Sequence, residues 1–442
     1  MATTGDDVIY GSVYNDTLNG LAGNDTIYAI HNDDLIHGGL GDDVIETGSG
    51  DDTAYGGAGD DALVNDDGND VLYGGNGSDL IVLGGLVFGS AGTAYGGAGD
   101  DAVLVTQTQN AAVFGGAGID MLLLSWPSIF TDGAVSVDFR TGFASATDGS
   151  HLNFVGMEEL FLLAGNGDDT VIGGARDDFL SVSGGANRVN ALSGDDIVAY
   201  TITGVANTLN GGSGDDVLLA QSDTAPLYFI VNAANGSVDD GSLSVITGFE
   251  HYEARGGALA DIASLGAGDD TFRGGGGNDT GFGMDGQDLL MGITGDDLLY
   301  GGGGNDTIYG GVGQDSLFGG DGNDVLHGGE GQDTLTGGAG ADVFAFGFND
   351  NGLDLITDFT SGEDHIRYAG AGIGIYAPDL GPLDPGDLQI GGSTSTPGVF
   401  VLQYDSDADT SELLWSGTGN GAYLLMRFTG NVSMVASDII LF

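Results

Sequence analysis

The chain of 442 residues sets 66 acids against seven basic residues, all of them Arg, and its formal charge is −59. That balance excludes the basic footprint a nucleic-acid partner needs, and no apolar run nears the roughly 18 residues of a membrane span. Eight Glu leave 58 Asp, so the acidity belongs to the short carboxylate, and 41% hydrophobic content argues against disorder.

The first ten residues, MATTGDDVIY, carry neither the basic nor the apolar region of a cleavable leader. With no cysteine, disulfides and thiolate metal sites are both out of reach. A nine-residue repeat then starts at Ala2. Its sixth position falls on Asp7, Asp16, Asp25, Asp34, Asp43, Asp52, Asp61, Asp70 and Asp79, and its eighth is aliphatic each time, from Ile9 and Leu18 to Leu72 and Ile81. The frame is interrupted in the middle of the chain but recurs at Asp101 and Asp120, at Asp169, Asp178 and Asp196, and at Asp216. Degenerate units put Gly92, Asn110, Asn187 and Asn207 at the acid's place. A second unbroken block gives Asp270, Asp279, Asp288, Asp297, Asp306, Asp315, Asp324, Asp333 and Asp342. About 28 units result, 24 of them with the Asp in place.

One unit reads Gly-Gly-x-Gly-x-Asp-x-apolar-x, as in GGDGNDVLHGGEGQDTLT from Gly319 to Thr336. Alternation after the Asp predicts a three-residue strand with one inward side chain. The glycines predict a six-residue turn built on left-handed backbone positions. Two units close a coil of 18 residues, and coils stacked at about 4.8 Å give an all-β, parallel β-roll with an aliphatic ladder inside. Stacked turns bring Asp carboxylates to strand spacing, where they repel unless a cation lies between them. A hard ion with six to eight oxygen ligands, completed by turn carbonyls, points to calcium rather than magnesium or zinc.

These units resemble the RTX, or haemolysin-type, calcium-binding nonapeptide over about 250 residues. The resemblance implies calcium between turns one coil apart, held by the 24 Asp named above and by turn carbonyls, and a chain that is disordered until the ion arrives. It also implies type I export through an uncleaved C-terminal signal. The segment FGFNDNGLDLITDFTSGEDHI from Phe346 is similar to the cap that follows the last repeat in serralysin-type proteins, and the terminal SDIILF to that family's secretion signal.

The expected organisation is therefore a β-roll over 2–123, an insertion over 124–163, a short repeat block over 164–219, a second insertion over 220–264, a β-roll over 265–345 and a cap with secretion segment over 346–442. The insertions carry strand-like runs, AVSVDF and PLYFIV, followed by a Gly-x-Glu step, and are expected to pad the solenoid rather than to form a separate binding subdomain.

No catalytic pattern stands out. His31, His37, His151, His251, His327 and His365 form no H-E-x-x-H, and there is neither a G-x-S-x-G elbow nor a Cys or Lys nucleophile. Paired acids such as Asp51 and Asp52 could imitate a glycosidase dyad, but they recur with the repeat. His37 and His327 fall at the outward ninth position, where a solvated side chain is expected. Tyr10 and Tyr28 are 18 residues apart and should stack on one face, and Tyr55 and Tyr73 on the other.

The reading is a secreted, extracellular, calcium-folded protein that is not an enzyme and serves a cell-surface layer, filament or matrix. Because the first repeat starts at Ala2, an uncapped edge is expected to join another copy head to tail as a homopolymer, with cell-surface polysaccharide as a further partner. The alternatives are an adhesion module that binds glycans and a polysaccharide-modifying enzyme. About 20 calcium ions would leave a charge near −20.

Overall fold

A computed structural model describes residues 3–65, 67–84, 92–106, 110–125, 133–147, 151–222, 224–232, 237–242, 244–347, 352–368, 388–390, 399–405, 410–416, 422–429 and 439–441. The chain divides into two compact units, Met1–Leu218 with Ser242–Phe249, and Leu219–Gly241 with Glu250–Phe442. Both are parallel β-solenoids.

In the first unit the strands alternate between two sheets. One face runs Val8–Tyr10, Thr26–Tyr28, Val44–Glu46, Ala62–Val64, Leu80–Leu83, Ala102–Val105 and Met121–Leu124, each parallel to the next. The other runs Thr17–Ala22, Leu35–Leu40, Thr53–Ala58, Val71–Asn76, Thr93–Ala98 and Asn110–Ala117. The register offset within the first block is 18, as Leu18↔Ile36 and Ile27↔Ile45 show.

The strands of the second face are six residues long, and Asn110–Ala117 eight, not three. The Gly-Gly pair stays in the ladder, with Gly39 opposite Gly57 and Gly57 opposite Gly75. A glycine there can pair like any other residue while its backbone bends, so the turn is shorter than the repeat pattern suggests.

The eighth-position side chains fill the inside. Ile27, Ile36, Ile45, Leu63, Leu72 and Ile81 are fully buried, each contributing about 1.5–3 kcal/mol in transfer terms. At Asn110 the expected frame is off by one. Thr93 pairs with Ala112 and Ala94 with Val113, so Ala111 takes the acid's place and Asn110 is exposed. The apolar Val113, and not the polar residue, sets the register, since slipping by one would turn the strand inside out.

The strands of the first insertion lie within the sheet. His151–Val155 pairs parallel with Asn110–Ala117, Phe143–Ala146 and Val135–Asp138 follow as an antiparallel meander, and Val135–Asp138 pairs parallel with Thr170–Ile172. Glu159–Leu163 continues the other face between Met121–Leu124 and Phe179–Val182.

The second unit repeats the design. Its first face runs His251–Arg255, Thr271–Gly276, Leu289–Thr294, Thr307–Val312, Val325–Glu330, Val343–Phe346 and His365–Tyr368. Opposite lies a 12-stranded sheet that starts in the second insertion with Ser237–Asp239 and Tyr228–Asn232. It passes through Ile262–Ser264, Thr280–Asp285, Leu298–Gly303, Ser316–Asp321 and Thr334–Ala339 to Asp354–Ile356. Ala422–Thr429 then pairs parallel with Asp354–Ile356, followed by the antiparallel Thr410–Ser416 and Val399–Asp405, while Ile439–Leu441 pairs with His365–Tyr368. Phe272, Leu290, Ile308, Leu326 and Phe344 are fully buried. Gly281 makes room for Phe272, whose ring a β-carbon at Gly281 would strike.

Candidate metal centre

The sixth-position Asp is not a surface turn residue. From Asp25 onward every one of the 24 is buried, at most 4% exposed, and only Asp7 and Asp16 on the outermost coil are half-exposed. The burial comes from a ladder of side chains. The Asp25 N–H donates to Asp43 Oδ1 at 2.8 Å, Asp43 to Asp61 at 2.8 Å and Asp61 to Asp79 at 2.8 Å. The other edge repeats this through Asp16, Asp34, Asp52 and Asp70. In the second unit one ladder runs Asp279, Asp297, Asp315, Asp333 and the other Asp270, Asp288, Asp306, Asp324, Asp342. Each carboxylate reaches back to the preceding coil.

Asp101 and Asp120 prolong the first ladder, while Asp178, Asp196 and Asp216 form another. Asp169 takes the Val135 N–H and passes the pattern to Asn187 and Asn207, whose amide oxygens accept in place of a carboxylate. Four further members escape the repeat pattern. Glu158 Oε2 accepts the Asp120 N–H, and Asp261, Asp354 and Asp364 accept from Leu227, Asp333 and Asp342. Asp354-Leu355-Ile356 and Asp364-His365-Ile366 keep the Asp-x-apolar signature, but the spacing to the previous acid is 21 and 22 residues instead of 18.

What the ladder leaves over is the second carboxylate oxygen. The Oδ2 atoms of Asp25, Asp34, Asp43, Asp52, Asp61, Asp79, Asp101, Asp120, Asp169, Asp196, Asp279, Asp288, Asp297, Asp306, Asp315, Asp324 and Asp342 are buried and accept no hydrogen bond. A buried charge without a partner is costly. Burial accordingly pushes Asp52, Asp61, Asp279, Asp288, Asp315 and Asp324 up to about 7, against the pull of the N–H each accepts and with help from neighbouring carboxylates.

The place beside each open oxygen is shaped by the first glycine of the turn. A β-carbon on Gly310 would run into Asp315 Oδ2 and would lie 2.6 Å from the Gly328 carbonyl oxygen. Gly38, Gly56, Gly301 and Gly319 repeat the arrangement with their own Asp and the carbonyl one coil on. The hollow is thus rimmed by a carboxylate oxygen and a carbonyl oxygen from adjacent coils. Among the described residues no three His, Asp or Glu side chains converge on one point, so carbonyls would have to complete the shell of an ion. This all-oxygen set fits a calcium ion, which would supply the positive charge that the orphaned oxygens lack.

The turns fall into two classes. Where Oδ2 is open, the second residue of the turn is almost always left-handed, as at Gly57, Gly302 and Gly311, with φ of 126°, 119° and 118°. Leu21, Ile30, Leu192, Met284 and Ile293 adopt this conformation too, at φ of 82–88°, although they are not glycine. In four closed turns the second residue is not left-handed, and its N–H folds back onto Oδ2: Gly174 onto Asp178 at 2.6 Å, Gly266 onto Asp270 at 2.8 Å, Gly257 onto Asp261 at 3.0 Å and Thr360 onto Asp364 at 2.6 Å. Asp7 and Asp16 are closed in the same way by Thr3 and Ser12. Asp70 is closed by the Thr47 hydroxyl and the Asn65 amide. Asp169 departs from the rule, since its Oδ2 is open although Gly165 is not left-handed.

Asp51 and Asp52 do not share a substrate gap. Asp51 Oδ1 accepts the Asn69 N–H from the following coil, and Asp52 Oδ1 the Asp34 N–H from the preceding one. The fifth-position acids form their own exposed ladder, which also includes Asp42 accepting from Asp60 and Asp60 from Ser78. His37 is not simply solvated. It stacks on Tyr55 at 4.9 Å, at the start of a row of Tyr55, Tyr73, Tyr95 and Phe114 with centroids 4.7–4.8 Å apart. Tyr10 stacks on Tyr28 at 5.2 Å.

Against known proteins, the model of the RTX calcium-binding nonapeptide repeat (4 copies) matches residues 1–29, 32–63, 66–85, 163–198, 203–223 and, in overlapping copies, 255–353, together more than half of the chain. No curated protein matches. Among solved structures, the AlgE6R3 subunit of the Azotobacter vinelandii mannuronan C5-epimerase is 28% identical, with 33% of this chain and 77% of that one covered and a TM-score of 0.25. A Ca2+-dependent, β-helical antifreeze protein from an Antarctic bacterium is 17% identical, over 81% and 86% of the two chains, with a TM-score of 0.25. The extracellular lipase LipA of Serratia marcescens is 16% identical, over 73% and 45%, with a TM-score of 0.17.

Proposed function

The chain belongs to the RTX family of calcium-binding nonapeptide repeats, and from that membership we propose that it is a secreted structural protein that folds on calcium and self-assembles into a surface layer, filament or matrix. The observation that carries this reading is the row of buried, unmet Asp oxygens. Without a cation they oppose folding, because each is dry and all but Asp169 face another acid one coil away. A cation that binds only the stacked coils then drives folding by linkage, and the work is done where calcium is plentiful. The open turns are assigned as the calcium sites. The closed turns at Asp7, Asp16, Asp70, Asp178 and Asp270 have already met their oxygens and serve as spacers, so about 20 ions remains the expected load.

RTX proteins are typically secreted, and among the described residues no helix is long and apolar enough to cross a membrane. Two features support assembly. Val8–Tyr10 and Thr17–Ala22 are each paired on one side only among the described residues. Around them Val8, Tyr10, Val13 and Tyr14 are 57–75% exposed, a concentration of apolar surface on a strand edge that invites another strand. A second copy is assigned as that partner, head to tail. No enzymatic role is assigned.

The test is negative-stain electron microscopy of the purified protein in calcium and again after chelation. Filaments or sheets that dissolve in chelator are expected. Isolated short rods in saturating calcium would overturn the assembly claim and leave calcium folding standing.

A further inference from the structure

Beside the first insertion the solenoid is interrupted. Val135–Asp138 pairs with Thr170–Ile172, and Phe139 donates its N–H to the Ile172 carbonyl at 2.9 Å. The chain then reverses, with the Thr141 and Gly142 N–H groups both on the Asp138 carbonyl, instead of running on into a glycine turn. A cleft of about 390 Å³ opens there, lined by Phe139, Arg140, Met157, Glu158, Arg176 and Leu192, among others.

Three properties set it apart from the rest of the molecule. It gathers two of the seven arginines of a chain with formal charge −59. Arg176 stands at the fourth turn position, where the repeats place glycine, and has no ion-pair partner among the described residues. Arg140 is held by Asp138 in a two-pronged pair at 2.9 and 3.1 Å, which uses only part of its fork of donors. Second, the acids nearby are engaged. Asp178 accepts from Gly174 and Leu160, and Glu158 from Asp120, so the turn under the cleft belongs to the closed class. Third, the remaining wall is apolar. Phe139 rests on Phe154 at 4.8 Å, and Leu192 sits at φ of 86°.

We infer that this cleft binds a carboxylated sugar unit of an acidic polysaccharide. A guanidinium fork takes a carboxylate in two parallel hydrogen bonds, while the ring of Phe139 with Met157 and Leu192 offers apolar area to the face of a sugar ring. A bare anion would leave that apolar wall unused, and a neutral sugar would leave the arginines unused. Because the chain repels anions at long range, recognition must come from contacts within the cleft, inside the screening length of about 8 Å. The inference does not depend on self-assembly.

The test uses the full chain in saturating calcium and saturation-transfer NMR with methyl β-D-glucuronide, methyl β-D-glucoside and acetate as probes. Methyl glucuronide is expected to bind at least about tenfold more tightly than either of the others. Arg176→Gln should reduce its binding about tenfold or more and leave the calcium-dependent circular dichroism transition unchanged, which separates lost contact from lost fold. Glucuronide binding undiminished in both Arg176→Gln and Arg140→Gln would overturn the inference by placing the carboxylate elsewhere, for instance on bound calcium. Acetate binding as tightly as glucuronide would overturn the sugar assignment.

Discussion

At the scale of single residues, the turn geometry accounts for backbone strain that local preference would not choose. Ile293 and Met284 sit at φ of 84° and 87° with 43% and 42% of their surfaces exposed, where glycine would be at ease. Little packing is lost by removing such side chains, so Ile293→Gly should stabilise the calcium-bound protein by about 1 kcal/mol, measured by thermal unfolding. The two classes of turn make a sharper forecast. Asp288→Asn removes an open carboxylate and should flatten the dependence of folding stability on log calcium by about one ion, whereas Asp178→Asn, which costs the Gly174 hydrogen bond in a closed turn, should lower stability without changing that slope. Equal changes of slope would show that the classes do not matter.

The same carboxylates set the pH response. Their pKa values rise on folding, to about 7 for Asp61 and Asp324 from 3.8, so the calcium-free folded state holds protons more tightly than the unfolded one. Its stability is therefore greatest below about pH 4 and is lost as pH rises through 6 to 7. In chelator, circular dichroism should report more β-structure at pH 4.5 than at pH 8. In calcium the direction reverses, since protons compete for the oxygens, and the calcium midpoint should rise as pH falls from 8 to 5.5.

At the scale of elements, the period was legible because one coil consumes 18 residues, and both the Asp and the aliphatic residue must recur with it. Inward side chains such as Leu317, fully buried between Leu299 and Leu335, bear the packing. Leu317→Ala should cost about 2–5 kcal/mol of calcium-bound stability. Tyr73, stacked at 4.7 Å on both Tyr55 and Tyr95, should cost about 1–2 kcal/mol when replaced by Ala.

The period was not legible where spacing did not follow the coil. Asn110 looked like a degenerate acid, but the buried Val113 fixes the register one residue away. Glu158, Asp354 and Asp364 join the ladder after meanders and longer loops that break the count. The open and closed turns could not be separated from composition alone. Leu192 and Ile293 adopt the left-handed position without glycine, and Gly174 and Gly266 decline it.

At the scale of the whole molecule, the proposed function makes the charge of −59 a switch: self-repulsion would keep the calcium-free chain expanded, and neutralisation at each open turn would let the coils close. The exposed fifth-position acids keep the surface anionic, so the proposed assembly would grow at strand edges rather than by lateral clumping. The tail strands Ala422–Thr429 and Ile439–Leu441 cover the last coil of the second unit, so a head-to-tail joint would have to engage that tail as well as the edge at Val8–Tyr10.

The most direct test of the central claim, that buried Asp oxygens are met by calcium, is the number of calcium ions retained per folded chain, read by native mass spectrometry. A count of about 20, falling by about one in Asp288→Asn and unchanged in Asp178→Asn, is the predicted result. A folded chain that retains few ions or none would contradict it.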